Sequence, residues 1–254
     1  ELMKIVVVGG SGLVGSKLVT KLGEQGHEAV NASPNTGVNS LTGEGVAEVL
    51  RDAEVVVDVS NSPSLEGDPA MSFFTTATGN LLAAEAAAEV KHHVALSVVG
   101  TDRLSESGYI RAKIVQETLI AESSIPYSIV HATQFFEFVM AIADGATDGD
   151  TVRLAPVLVQ PMAADDVASA VGRVAVGEPR NGIVEIGGPE QFRLDELVRH
   201  TLQVREDSRD VVADPDSRYF GARLSDRTLV PDEDAALGTT RYDDWLRAAL
   251  TATD

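Results

Sequence analysis

The sequence predicts an α/β protein, a doubly wound parallel sheet with a small C-terminal lobe. Three observations predict it. Short apolar runs without polar alternation recur along the first 150 residues, segments of helical period separate them, and a glycine-rich turn joins the first run to the first helix. A strand that is apolar throughout is covered on both faces, which places crossover helices on both sides of a parallel sheet. Such crossovers are right-handed. Ligands of these sheets sit at the carboxyl ends of the strands.

The elements follow in order. Lys4–Val8 is a buried strand. Residues 13–24 carry Leu13, Val14, Leu18, Val19 and Leu22 at helical spacing. Residues 27–33 form a second strand, before a loop with Pro34, Asn35 and Gly37. Glu44–Arg51 is a short helix and "EVVVDVS" (54–60) a third strand. "NSPSLEGDP" (61–69) is dense in turn residues, and an Ala-rich helix is expected from Met71 to Glu89. "HHVALSVVG" (92–100) is a strand, Tyr109–Ser123 a helix and "YSIVHA" (127–132) a strand. Beyond residue 150 the rhythm loosens. "DTVRLA", "GIVEIGG" and "RDVVADP" read as strands. "AADDVASAVGRVAVG", "RLDELVRHTLQV" and "RYDDWLRAAL" read as helices, and 215–238 has no assignment. The expected division is a dinucleotide-binding domain over 3–150, with 151–254 completing the fold and forming a substrate lobe.

Composition narrows the functions. The chain has 254 residues and a formal net charge of −19, which repels phosphate backbones and anionic membranes, so no nucleic-acid or membrane partner is expected. It has no cysteine, which removes disulfides, thiolate catalysis and thiolate metal sites. No apolar run approaches the roughly 18 residues of a membrane span. With no signal peptide pattern at its start, the chain reads as cytoplasmic.

The first turn reads Gly9-Gly10-Ser11-Gly12-Leu13-Val14-Gly15. Gly9 allows a sharp turn after the strand, Gly12 lets a pyrophosphate approach the backbone, and Gly15 lets the helix lie close to the sheet. Ser11, Leu13 and Val14 complete this candidate cradle. The new helix aims its free N–H groups and positive dipole end at the phosphates. The P-loop fails on order, because Ser16 and Lys17 follow Gly15. A nucleophile elbow fails because Leu13 stands where its last glycine belongs. The reading is a Rossmann dinucleotide site.

The spacing Gly9-x-x-Gly12-x-x-Gly15 resembles that of the extended and atypical short-chain dehydrogenase/reductases, in particular the NmrA-like group. "VVVDVSNSP", "NLLAAEAA", "HHVALSVVG", "YSIVHATQFFEF", "ADDVA" and "EIGGPEQFRLDELV" are similar to that group's successive blocks. The resemblance implies an NAD(P)-dependent oxidoreductase acting on a small carbonyl, quinone or similar molecule. It also implies an alternative, a non-catalytic redox sensor working through a protein partner, since several members lack the Tyr-x-x-x-Lys pair. A nucleotide-sugar epimerase ranks third.

Here "SGYIRAKIVQE" supplies Tyr109 and Lys113, which share a helix face. A nearby ammonium favours the phenolate, so Lys113 is expected to lower Tyr109 towards acid–base use and to bond the nicotinamide ribose. Ser97 matches the family's carbonyl-polarising serine. The second strand ends in Asn31-Ala32-Ser33-Pro34-Asn35-Thr36, without a carboxylate and without a cation. Ser33, Asn35 and Thr36 can therefore bond a 2′-phosphate, which favours NADP over NAD. Asn61, Ser62, Ala132 and Thr133 are the remaining cofactor-binding candidates.

Other residues have plainer expectations. His92 and His93 point to opposite faces and are not expected to share a metal. His131 packs or faces the cofactor, with packing the favoured reading; Asp165 and Asp166 cap a helix, and Glu85 and Glu89 form a solvated helix face. Gln134 is a candidate for the nicotinamide amide. Phe135, Phe136 and Phe138 wall a substrate pocket or pack the core, and Tyr219 and Phe220 cover that pocket.

Overall fold

A computed structural model describes residues 1–252. The first strand, β1 (Lys4–Val8), is fully apolar from Ile5 and buried, and the chain turns from it into α1 (Leu13–Glu24). The order continues β2 (Glu28–Ala32), α2 (Val46–Val49), β3 (Val55–Asp58), α3 (Gly67–Ala87), β4 (His92–Val98), α4 (Gly108–Glu122) and β5 (Tyr127–Ala132). Next come α5 (Val139–Gly145), β6 (Thr147–Asp148), β7 (Thr151–Leu154), β8 (Leu158–Val159), α6 (Ala164–Val176) and β9 (Gly182–Gly187). The last elements are β10 (Phe192–Arg193), α7 (Leu194–Val204), β11 (Asp210–Ala213), β12 (Ala236–Leu237) and α8 (Tyr242–Thr251).

Seven strands form one parallel sheet in the order β12-β9-β5-β4-β3-β1-β2, the doubly wound architecture. β1 lies between β2 and β3, with Val8 opposite Ala32 and Asp58. The order reverses at β1–β3, so this crevice is the switch point of the sheet. Helix α3 starts four residues before the expected Met71. Pro69 sits in its first turn, where the missing N–H has no intrahelical acceptor to lose.

The chain divides into two compact units that interleave along the sequence. The first comprises 1–97, 108–131 and 167–184; the second comprises 98–107, 132–166 and 185–254. The boundary expected at 150/151 falls inside the second unit, and residues 253 and 254 of the expected lobe lie outside the described residues. In the first unit, the core joins Val6, Val8 and Val56 to Leu50 and Leu81. In the second, Phe136, Tyr242, Trp245 and Phe192 pack in one aromatic cluster, which resolves Phe136 as core. No helix among the described residues is long and apolar enough to cross a membrane.

Candidate active site

The glycine turn is closely packed, and least crowded at Gly12. Gly9 has φ +82°, and a Cβ there would meet the Ser60 backbone at 2.8 Å. A Cβ on Gly15 would lie 2.0 Å from the Gly9 carbonyl oxygen, so α1 rests directly on the turn. At Gly12 the nearest atom to a Cβ is that same oxygen, at 3.3 Å. Gly12 is the N-cap of α1 and no side chain caps the helix. The first N–H groups of α1 therefore have neither an intrahelical acceptor nor a side-chain cap, the arrangement that suits an anion. Leu13 is exposed and Val14 buried.

Three of the expected cofactor residues, Ser11, Ser33 and Asn35, converge beside this turn on a fourth that sequence reasoning missed, Asn31. Asn31 Nδ2 donates to Ser11 Oγ at 2.9 Å, and Ser33 Oγ donates to Asn31 Oδ1 at 2.6 Å. Ser11 Oγ donates to Asn35 Oδ1 at 2.7 Å, while Thr36 Oγ1 accepts from the Ser33 N–H at 3.0 Å. Ser33 is buried, so its hydroxyl organises the network, and Ser11 and Asn35 present its exposed end. A visible signal for Asn31 existed: it is a polar residue one position before the end of β2, the strand that neighbours the turn.

At α4 the Tyr109 hydroxyl donates to Asn61 Oδ1 at 2.8 Å, uniting two expected site residues. Asn61 Oδ1 also accepts the Ser62 N–H. Burial pushes the Tyr109 phenol up to about 12, against the lowering effect of Asn61, so the expected net lowering by Lys113 is not found. The Lys113 ammonium is buried, donates to the Leu96 carbonyl at 3.0 Å and stands 4.4 Å from the Phe74 ring centre. Burial brings Lys113 down to about 8, opposed by the carboxylates of Asp58 and Glu117. Asp58, at the end of β3, accepts from the Ser60 N–H at 3.0 Å and faces Gln116 Nε2 at 3.4 Å.

Ser97 lies one residue before the end of β4, and its Oγ donates to Glu117 Oε2 at 2.8 Å. His131 Nε2 donates to the other oxygen of Glu117 at 2.7 Å, so His131 bonds a carboxylate where simple packing was expected. Glu117 was missed, although 109, 113 and 117 are successive four-residue steps along one helix. Glu85 overturns its expectation more sharply: it is fully buried and paired with His93, because α3 turns it towards β4. Glu89 is exposed, just past the end of α3.

Ala132 and Thr133 belong to the second unit. The Thr133 hydroxyl donates to the Gln160 carbonyl at 2.6 Å, and the Ala132 carbonyl accepts from the Val99 N–H. The neighbouring Gln134 Oε1 is buried without a hydrogen-bond partner. Phe135 and Phe138 stack at 5.5 Å with Phe138 half exposed, and Tyr219 meets Phe220 edge-on. Asp165 and Asp166 lie in the first turn of α6, but Glu137 accepts the Ala164 N–H and Asp166 accepts that of Thr240.

No protein-family model matches the chain, and no curated protein matches it in sequence. Solved structures of the same fold do. A double mutant of the dTDP-glucose 4,6-dehydratase DesIV from Streptomyces venezuelae, with NAD bound, is 16% identical with a TM-score of 0.75, over 99% of this chain and 97% of that one. A short-chain dehydrogenase/reductase superfamily protein from Agrobacterium tumefaciens, also with NAD bound, is 15% identical with a TM-score of 0.72, over 98% and 96%. A dTDP-4-dehydrorhamnose reductase from Clostridium acetobutylicum is 14% identical with a TM-score of 0.70, over 99% and 100%. The likeness establishes the fold class, a doubly wound α/β sheet.

Proposed function

We propose that the protein is an oxidoreductase of the atypical short-chain, NmrA-like type that uses a nicotinamide dinucleotide. It moves hydride between the coenzyme and a carbonyl, quinone or similar electron-poor small molecule. The observation that carries this reading is the turn over 9–15, packed against backbone at Gly9 and Gly15, less crowded at Gly12 and leading into a helix that no side chain caps. These residues fit a diphosphate held by main-chain N–H groups. When bound, the coenzyme supplies or accepts the hydride.

The chain's residues supply the rest. Ser11 and Asn35, at the exposed end of a network without a carboxylate, bond the adenosine ribose and tolerate its 2′-phosphate, which favours NADP. Tyr109 keeps its proton at neutral pH and delivers it to the acceptor oxygen, which suits the reductive direction. Lys113, held by the Leu96 carbonyl, provides positive charge beneath the site. A second reading, a redox sensor, draws support from the same tyrosine, whose hydroxyl is already bonded to Asn61.

Calorimetry with NADPH and NADH, combined with absorbance assays over carbonyls, quinones and dTDP-sugars, tests both. The Tyr109→Phe variant is expected to bind coenzyme as the parent does and to lose turnover. Full turnover in that variant removes Tyr109 from the chemistry. Tight coenzyme binding without reduction of any acceptor selects the sensor, and absence of coenzyme uptake overturns both readings.

A further inference from the structure

The Ser97 hydroxyl has one proton to give, and the structure assigns it to a partner. Oγ donates to Glu117 Oε2, and the second carboxylate oxygen is taken by His131 Nε2. All three groups are shielded: Ser97 is 4% exposed, and the His131 and Glu117 side chains are 6% and 12% exposed. Glu117 stands one four-residue step beyond Lys113 and two beyond Tyr109 on α4, so it belongs to the face that carries the candidate chemistry.

We propose that Glu117, braced by His131, is a positioning residue that turns Ser97 into a hydrogen-bond acceptor at the site. The inference rests on the oxidoreductase reading above. A serine hydroxyl has one donor and two lone pairs, whereas an ionised carboxylate only accepts. A bond from hydroxyl to carboxylate is about twice as strong as one to a neutral oxygen. A substrate carbonyl therefore does not win the Ser97 proton from Glu117. Ser97 offers its lone pairs instead, and the group it recognises carries an O–H or N–H, such as the hydroxyl of the alcohol form of the substrate. His131 supplies the second hydrogen bond, which fixes the carboxylate in plane.

Glu117→Gln tests this without changing shape, because an amide nitrogen turned to Ser97 donates and releases the serine proton. It is expected to lower kcat roughly ten- to hundred-fold while leaving coenzyme affinity and the thermal midpoint unchanged. In a Ser97→Ala background the same change is expected to cost less than in the parent, leaving only the part that acts through Lys113, whose ammonium the Glu117 carboxylate favours. Parental kcat in Glu117→Gln, or a loss that adds in full to that of Ser97→Ala, overturns the proposal. A second readout needs no turnover. The imidazole resonances of His131 are expected to shift in Ser97→Ala as well as in Glu117→Gln, because the carboxylate relays the change. A His131 signal unmoved by Ser97→Ala overturns the coupling. Failure of coenzyme uptake is a failure of the oxidoreductase reading alone, and the His131 signal then decides the coupling by itself.

Discussion

His92 and His93 are neighbours on β4, yet they face opposite sides of the sheet and meet opposite surroundings. His92 Nε2 lies 2.8 Å from Ser128 Oγ, which itself accepts the Arg180 N–H. The hydroxyl keeps a second lone pair, so the ring's tautomer decides which of the two atoms donates. Burial pushes His92 down to about 4. His93 Nδ1 stands 2.7 Å from Glu85 Oε1, with both side chains fully buried. Burial alone would lower His93, but the Glu85 carboxylate, with Asp58 behind it, raises it overall. Ser97 shares the His93 side, as the alternation of a strand requires. One face of β4 thus carries a histidine beside a hydroxyl, and the other, under α3 and α4, sets histidines against carboxylates. The difference teaches that burial sets the charge of a side chain only together with the partner buried beside it. The candidate chemistry stands on the charged face.

The largest expected effect breaks the charged side. Glu85→Leu strands His93 and should lower the unfolding free energy by about 3–5 kcal/mol, read as a shifted denaturant midpoint at constant slope. Glu85→Leu with His93→Leu should recover most of that loss. A single variant no worse than an ordinary surface change would show that the pair carries no charge. Lys113 sharpens the same side through pH. Its folded pKa of about 8 lies below the ordinary 10.5, so between those values the unfolded chain holds a proton that the folded chain has released. Stability should therefore rise with pH from 8, by about 3 kcal/mol over the full window. Tyr109, raised to about 12, reverses the trend above pH 10, where the unfolded phenol ionises first. Lys113→Met should flatten the rise in a series of unfolding curves from pH 7 to 10.

The smallest effect belongs to the neutral side. His92, at about 4 when folded and 6.5 when free, takes up its proton first in the unfolded chain. Stability should fall as pH drops from 6.5 to 4, by roughly 1–2 kcal/mol once solvent screening is discounted. Thermal midpoints of His92→Gln should lack that slope. An unchanged slope would assign the acid sensitivity to other groups.

Most of the sheet was legible because its signal is local. Ile5–Val8 and Val55–Val57 are apolar without interruption, and only a strand buried on both faces has a use for that pattern. The segment 215–238 was not legible because distant side chains hold it. Arg103 donates to the Thr228 carbonyl, Glu106 accepts the Arg223 N–H, and the two-residue strand β12 pairs with the end of β9. No periodicity within the segment encodes such bonds. The site divided in the same way. Tyr109, Lys113 and Ser97 stood out by spacing and strand position. Glu85 was misread because an acidic residue on an Ala-rich helix looks solvated until its partner across the sheet is known. Asn31 and Glu117 act through other side chains, and that dependence exists only in three dimensions.

Gly67 and Gly108 begin α3 and α4 at nearly the same point, and a Cβ on Gly67 would lie 3.0 Å from the Gly108 Cα. The two helices thus start from a shared contact that has no room for even a methyl group. Tyr109 is the next residue on one arm, and Asn61 lies a few residues ahead of the other. The separation of phenol and amide is consequently a built-in caliper: any substitution that wedges the arms apart registers there before it reaches the rest of the sheet.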